Sequence, residues 1–315
     1  MNTKVNIKAS LITSDEYNDL VDQAKQLKST GGYTHRLESH FSGTLPTKKI
    51  GSGMDYAESR VYQAGDDPRF INWRLTARSN ETLVKNFHTE SNPTLCVLMD
   101  RGATMCFGTR KRLKMAQAAR VTTLLGLAAR QHRLALGGFI LGESSNHNQW
   151  FDSNKNDQAF NSLIDAVSAS CPPILSDNLV KQPQSWQLIL RHLTDQNPSG
   201  SLIYLVSDFF DLSHEHQSTL EALQAQHHVV AIHIVDNAEL SLKNNGTLRF
   251  KGILSDALHQ VKSSNPKQRE KFQSHAQLRQ QTIKSIFEGR GIPFVSISTI
   301  DDDLAPLIPL PLEAM

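Results

Sequence analysis

The clearest fold signal lies in residues 95–141, which read LCVLMDRGATMCFGTRKRLKMAQAARVTTLLGLAARQHRLALGGFIL. The first five residues are apolar throughout, which is typical of a strand that is buried on both faces. Residues 110–132 carry apolar side chains at helical spacing, and residues 134–141 form a second apolar run of strand length. The stretch therefore predicts a β-α-β unit, in which a helix joins two parallel strands.

The same alternation continues towards the carboxyl terminus. Further strands are predicted at residues 201–206, 228–235 and 294–298, and further helices at residues 213–226 and 267–290. Strands that alternate with helices predict an α/β fold with a doubly wound, mostly parallel sheet. Asn245-Gly246 lies between short alternating runs and predicts a small hairpin insertion, which we place at residues 238–255.

Residues upstream of this pattern are more polar and irregular. The pattern changes near residue 92, so we predict a sheet domain over residues 92–315 and an N-terminal appendage over residues 1–91. The appendage begins with an amphipathic helix at residues 14–27.

Composition limits the possible functions. The chain has 315 residues and a formal net charge of +2, which is too small for a general binder of polyanions. Its apolar runs are about nine residues long, whereas a membrane span needs about twenty. The amino terminus lacks the apolar segment of a signal peptide, and three cysteines without CxxC spacing suggest reduced thiols. We therefore expect a cytoplasmic protein.

Acidic residues follow four of the predicted strands. They are Asp100, Asp208 after Ser207, Asp236, and the run Asp301-Asp302-Asp303. In a parallel sheet the carboxyl ends of the strands share one edge, where ligands bind. Carboxylates gathered there repel one another unless a cation or a basic partner compensates them. The alternative is that these are ordinary turn residues, since Asp is common after strands.

The segment Asp100-Arg101-Gly102-Ala103-Thr104, together with Ser207-Asp208, resembles the signature of von Willebrand factor A domains. In that family, aspartate, serine and threonine side chains hold Mg²⁺ or Mn²⁺, and a carboxylate of the partner completes the coordination. The resemblance implies metal ligands at Asp100, Thr104 and Asp208, with Ser176 as a candidate from another loop. Gly102 stands where the family has a serine. Either water replaces the missing hydroxyl, or the site is degenerate and its aspartates bond the loops.

A longer resemblance covers residues 51–78, which read GSGMDYAESRVYQAGDDPRFINWRLTAR. This stretch is similar to the hallmark of the domain of unknown function 58 family, Arg-x-Tyr-x-x-Gly-Asp-Asp-x-Arg-x-Ile-Asp-Trp-x-x-x-Ala-Arg. In that family the hallmark precedes a von Willebrand factor A type domain, and the order of segments here agrees from about residue 30 onwards. One departure is Asn72, where the family usually has aspartate.

Proteins of that family are associated with MoxR-type AAA+ ATPases and are thought to act as adaptors or co-chaperones for client complexes. The resemblance therefore implies a non-catalytic interaction protein whose partners are such an ATPase and a client protein. One alternative is a hydrolase that forms a phosphoaspartate at Asp100, although Gly102 stands in place of its acid/base aspartate. Another is a nucleic-acid-binding protein that uses the basic residues 110–114. The chain has no Gly-x-x-x-x-Gly-Lys-Ser/Thr loop and is not expected to hydrolyse ATP.

The hallmark segment can also be interpreted in physical terms. Gly65 allows a tight turn, Asp66 or Asp67 can cap a helix, and Pro68 fits its first turn. On one predicted helix, Phe70 and Trp73 share a face, and Arg74 and Arg78 share another. These arginines either pair with acidic residues of the chain or meet an acidic partner.

A basic run, Arg110 to Lys114, lies at the predicted start of a helix, where the helix dipole disfavours cations. The ordinary explanation is a solvated basic face beside the acidic edge, and the other explanation is a nearby anion such as phosphate. Together with the hallmark segment, this run supplies the candidate partner-binding residues, which are Arg69, Trp73, Arg74, Arg78 and Arg110.

Overall fold

The computed structural model describes residues 10–27, 55–63, 67–79, 81–88, 94–142, 145–171, 185–251 and 258–309. These residues form two compact units. One unit comprises the described residues between 55 and 88, and the other comprises residues 10–27 together with the described residues from 94 onwards. We call them the small unit and the sheet unit.

The helices and strands are numbered along the chain. The helices are α1 (Ser14–Leu27), α2 (Trp73–Thr76), α3 (Lys114–Gln131), α4 (Asp157–Ser168), α5 (Trp186–Gln196), α6 (Gln217–Gln226), α7 (Asn237–Leu240) and α8 (Pro266–Glu288). The strands are β1 (Asp55–Val61), β2 (Leu83–His88), β3 (Thr94–Asp100), β4 (Ala135–Leu141), β5 (Gln149–Asn154), β6 (Leu202–Ser207), β7 (His228–Val235), β8 (Thr247–Lys251), β9 (Leu258–Lys262) and β10 (Phe294–Ser298).

A six-stranded sheet forms the centre of the sheet unit. Its strand order is β10-β7-β6-β3-β4-β5. All neighbouring strands are parallel except β5, which runs antiparallel to β4 at the edge. The prediction of an α/β fold with a doubly wound, mostly parallel sheet is therefore confirmed. The chain winds outward in one direction from β3 and in the other from β6, so the carboxyl ends of these two strands flank the switch point where such sheets bind ligands.

Helices cover both faces of the sheet. On one face α1, α3 and α4 pack on side chains such as Leu95, Val97 and Met99. On the other face α5, α6 and α8 pack on side chains such as Cys96, Leu98 and Leu205. Because β3 is covered on both faces, all seven of its residues are buried, which explains its continuous apolar sequence. No helix among the described residues is long and apolar enough to cross a membrane.

Helix α1 belongs to the sheet unit, which corrects the predicted appendage of residues 1–91. Leu20 and Ala24 of this helix are fully buried in the core beside α3. The Gln23 side chain donates to the Asp302 carbonyl at 3.0 Å and accepts from the Leu304 N–H at 2.8 Å. The amphipathic pattern was correctly interpreted as a helix, but its apolar face packs against residues nearly a hundred positions away, which a local pattern does not reveal.

The predicted hairpin insertion exists but extends further than residues 238–255. It consists of β8 and β9, which pair antiparallel with Thr247 opposite Lys262. Gly246, with a φ of +77°, lies at the open end of this pair, where its carbonyl accepts from the Ser263 N–H. The Asn-Gly signal therefore marks the entry to the hairpin and not its turn, which explains the wrong boundary.

Helix α3 begins at Lys114, not at Arg110 as predicted. Residues before it form an irregular loop in which the Lys114 N–H donates to the Phe107 carbonyl at 2.8 Å. A Cβ atom on Gly108 would lie 2.3 Å from the Arg112 carbonyl oxygen, so this close approach requires glycine. Three of the four cations consequently lie outside the helix, and only Lys114 occupies its first turn.

The small unit contains the hairpin of β1 and β2 and the hallmark segment. A single 3₁₀ turn, Pro68–Phe70, is capped by Asp67, and α2 is a separate turn capped by Asn72. The predicted single helix is therefore wrong, because Ile71 forms a β-bridge with Val84 and interrupts it. Asn72 accepts from the Leu75 N–H and donates its amide to Ser59, which is a role that aspartate could fill only in part.

Candidate interaction site

The loops after β3 and β6 bring Asp100 and Asp208 to the switch point of the sheet. Both carboxylates are buried. One oxygen of Asp100 accepts from the Gly102 N–H at 2.7 Å, and the other accepts from the Ser207 hydroxyl at 2.6 Å. Asp208 accepts from the Phe210 N–H at 3.0 Å. The sheet therefore places the two predicted aspartates together, as expected from parallel strands.

A buried lysine stands beside these carboxylates. Lys114 Nζ lies 2.7 Å from Asp208 Oδ2 and 2.6 Å from Glu239 Oε1, and its side chain is only 2% exposed. Lys114 is the first residue of α3, and Glu239 lies in α7, after β7. Three loops at the carboxyl edge thus converge on one ammonium group, which is held by charge-assisted hydrogen bonds.

The position of Glu239 follows from the sequence Asp236-Asn237-Ala238-Glu239. Asp236 and Glu239 form a capping box at the start of α7, in which Glu239 Oε2 accepts from the Asp236 N–H at 3.1 Å. Its other carboxylate oxygen is left to accept from Lys114. One glutamate therefore both caps a helix and balances the buried lysine.

Burial and neighbouring charges shift the pKa values of Asp100 and Lys114. Burial and the neighbouring Asp208 raise the pKa of Asp100 to about 7, while Ser207, Gly102 and Lys114 oppose the rise. Burial of Lys114 favours the neutral amine, but the carboxylates of Asp208 and Glu239 outweigh it and raise the pKa of Lys114. Lys114 is therefore a cation at neutral pH, and the carboxylates of Asp208 and Glu239 are its counter-ions.

These residues do not fit the Mg²⁺ or Mn²⁺ site that the resemblance implies. Magnesium needs an octahedron of oxygen ligands, but the chain's own donors already bond both oxygens of Asp100, and the ammonium of Lys114 bonds Asp208. Gly102 has no side-chain hydroxyl, and its carbonyl oxygen already accepts from the Met105 N–H at 3.0 Å. Within the described ranges, no group of three or more His, Cys, Asp or Glu side chains could hold a metal ion. Ser176 lies outside the described residues.

A cavity of about 520 Å³ opens beside Lys114. We call it the aromatic cavity, because Phe107, Phe210, Phe250 and Phe272 form much of its wall. Lys114, Asp208, His233 and Glu239 also line it, as does Thr104, the third predicted metal ligand. Its size is within the range of about 300 to 1,000 Å³ that is usual for ligand sites. Phe210 is 44% exposed and marks its rim.

Two other acidic residues of the edge, Asp236 and Asp302, bond to the loop before α3 or to the basic run within it. Asp236 accepts from the Thr109 N–H and hydroxyl and from the Thr299 hydroxyl. Asp302 pairs with Lys111 at 2.5 Å and with Arg112 at 2.8 Å, and these partners lower the pKa of Asp302 to about 2. The basic run thus lies beside the acidic edge and pairs with it directly. Arg110 is exposed.

The other candidate partner-binding residues lie in the small unit. Arg69 forms an ion pair with Asp67 at 2.6 Å, and this arginine lowers the pKa of the Asp67 carboxyl. Trp73 is 68% exposed, and Arg74 and Arg78 are also exposed. The partner-binding role of these residues stays a prediction.

The sequence interpretation missed the role of Lys114. It placed this lysine among four solvated cations, whereas the structure buries it. A signal was available, because Lys114 has the helical spacing that places it on the same face of α3 as Ala118, Val121 and Leu125, which are buried. The aromatic cavity was also missed, because its four rings come from distant parts of the chain.

None of the three cysteines, Cys96, Cys106 and Cys171, is joined to another in a disulfide bond. Cys96 is fully buried, and burial raises its pKa to about 12. The sulfur atoms of Cys106 and Cys171 lie 2.8 Å apart, close to the Arg101 side chain.

Comparison with known proteins gives relatives of similar length. Uncharacterized protein Rv1480 of Mycobacterium tuberculosis and uncharacterized protein Mb1516 of Mycobacterium bovis are each 24% identical to this chain over 276 residues. The match covers 86% of this chain and 82% of each relative.

Two solved structures are similar to part of this chain. Conserved hypothetical protein BatB from Bacteroides thetaiotaomicron is 10% identical, with a TM-score of 0.36, over 62% of this chain and 99% of that chain. The SpRpn10 VWA domain is 12% identical, with a TM-score of 0.32, over 68% and 93%. Structural similarities with TM-scores this low carry no argument about this chain.

The family model for the protein of unknown function DUF58 matches residues 58–282. Because this is more than half of the chain, the protein belongs to the DUF58 family.

Proposed function

We propose that this DUF58 protein is a non-catalytic adaptor, and that a partner protein docks at the carboxyl edge of its sheet without a bridging metal ion. The partner is a MoxR-type AAA+ ATPase, which the adaptor helps to act on a client protein in the cytoplasm. The ATPase partnership rests on family membership, and the docking site rests on the geometry of the edge.

One observation carries the proposal. The carboxylates of the edge are bonded by the chain's own donors, while an aromatic cavity with an exposed rim opens beside them. Partner proteins bind through buried aromatic anchors with polar groups around them, and such surfaces need no reactive group. The ion pairs fix the loops that shape the cavity, and the cavity supplies the contact surface.

The two alternative functions find less support. A phosphoaspartate hydrolase needs an accessible nucleophile, but Asp100 is buried and both its oxygens accept hydrogen bonds. A nucleic-acid-binding protein needs cations that can reach phosphates, but Lys111, Arg112 and Lys114 are already paired with carboxylates.

The proposal predicts a local binding defect at the rim of the cavity. We expect Phe210→Ser to weaken binding to the purified MoxR-type ATPase from the same genome by about tenfold or more, because an aromatic anchor is lost. Binding is measured by isothermal titration calorimetry with ATP present. Arg130→Ser is the control, since Arg130 lies at the other end of α3 and pairs with Asp157 on the surface. If wild-type protein does not bind the ATPase, or if both variants bind as it does, the proposal is wrong.

A further inference from the structure

The aromatic cavity has a charge pattern that selects its occupant. At its floor, two carboxylates, Asp208 and Glu239, face one ammonium, Lys114. His233 adds no charge at neutral pH, because burial lowers its pKa to about 4. At the rim, Arg279 interacts electrostatically with Asp211, whose carboxylate is also repelled by that of Asp208. The floor therefore carries one negative charge in excess.

The walls of the cavity suit a cation with an apolar stem. Aromatic rings attract cations over their faces. The cavity already shows this contact at its rim, where the Arg279 guanidinium lies 4.5 Å from the centre of the Phe210 ring and donates to the Phe210 carbonyl at 3.1 Å. Elsewhere in the cavity wall, Phe107, Phe250 and Phe272 offer further rings, and Ile283 and Leu240 offer apolar contacts.

The carboxylate at the floor can receive an additional donor. Glu239 is 37% exposed, and each of its two oxygens has a second lone pair beyond its bonds to Lys114 and Asp236. An entering carboxylate would meet the opposite situation, because it would be the third carboxylate around one ammonium. Like charges in such a site are disfavoured.

We infer that the aromatic cavity binds a basic side chain, lysine or arginine, which the partner protein presents within an apolar segment. The aliphatic stem lies against the phenylalanine rings, and the cationic head reaches Glu239 and Asp208. This charge preference is opposite to that implied by the resemblance, in which a partner's carboxylate completes a metal site. The identity of the partner rests on the proposed function, but the charge preference of the cavity does not.

Three small probes, each a phenyl ring on a short alkyl chain with a different polar end, test the inference without any partner. They are phenylbutylamine, phenylbutanol and phenylbutyrate, which are a cation, a neutral alcohol and an anion at neutral pH. Binding to the full chain is measured by NMR titration. We expect the amine to bind about tenfold more tightly than the alcohol, as one charged hydrogen bond provides, and the butyrate to bind least tightly.

Two variants locate the binding. Glu239→Gln keeps the acceptor for the α7 cap but removes a charge, so the amine should lose its advantage over the alcohol. Ala276→Phe fills the cavity from α8 and should abolish binding of all three probes. Glu270→Gln is the control, because it removes an exposed charge of α8 that does not line the cavity. A thermal melt of each variant confirms that it is folded.

The outcomes are distinct. The inference is wrong if none of the three probes binds, if the amine and the alcohol bind equally, or if the butyrate binds most tightly. It is also wrong if the amine still binds more tightly than the alcohol to the Glu239→Gln variant. If the amine binds as expected but the chain does not bind the ATPase, the inference about the cavity stands and the proposed partner is wrong.

Discussion

Replacing Lys114 by methionine is expected to lower the free energy of unfolding by about 3 to 5 kcal/mol. Methionine has a similar apolar stem, so the packing of the side chain is largely kept. What is lost is the ammonium that compensates Asp208, and the Asp208 side chain is itself only 6% exposed. An unpaired buried charge is much more costly than a missing surface pair, because water cannot solvate it.

Urea unfolding of the variant measures this effect, and Lys111→Met provides the matched control. Lys111 lies three residues away and also bonds an aspartate, but it and Asp302 are about half exposed. Exposed pairs contribute only about 0 to 1 kcal/mol. The double variant Lys114→Met, Asp208→Asn should recover part of the loss, since both charges are then absent. Similar losses for Lys114→Met and Lys111→Met would contradict the role we give to Lys114.

Asp100→Asn is expected to stabilise the protein more at pH 8 than at pH 5. Burial and Asp208 raise the pKa of Asp100 to about 7, whereas an unfolded aspartate has a pKa of about 3.9. Between these values the folded chain holds a proton that the unfolded chain has lost. Stability therefore falls as the pH rises from about 4 to 7, and the full penalty, roughly 2 to 4 kcal/mol, is present above pH 7.

Asparagine does not ionise, so the variant should lack this part of the pH dependence. It can still accept from the Gly102 N–H, and its amide can donate to the Ser207 hydroxyl. The measurement is urea unfolding of both proteins at pH 5 and pH 8. Asp302→Asn serves as the control: because Lys111 and Arg112 lower the pKa of Asp302 to about 2, this residue does not titrate in that range. Parallel pH profiles for wild type and Asp100→Asn would show that Asp100 is not perturbed.

The sheet could be predicted from the sequence because its inner strands are buried on both faces and are therefore continuously apolar. The edge strand β5, with the sequence Gln-Trp-Phe-Asp-Ser-Asn, was not predicted, since an edge position tolerates polar residues and leaves no such run. The start of α3 was misplaced for another reason: the loop before it is fixed by tertiary contacts of Phe107 and Gly108, which have no local signature.

The candidate site was predicted in part. Parallel strands alone imply that Asp100 and Asp208 lie at the same edge of the sheet, and this inference needed no knowledge of the loops. The counter-charge was not predictable in the same way, because a run of cations does not reveal which of them turns inward. Lys114 turns inward because it is the first residue of α3, a helix that is buried along most of its length, and the irregular loop ends just before it. Glu239 similarly required the position of α7.

The central claim is that the ammonium of Lys114, and not a divalent cation, balances the carboxylates at the switch point. The most direct test is an anomalous difference map from crystals of the full chain grown with millimolar manganese. We predict no peak between Asp100 and Asp208, with Lys114 Nζ remaining within hydrogen-bond distance of Asp208. A manganese peak ligated by these two aspartates, with Lys114 displaced, would contradict the account.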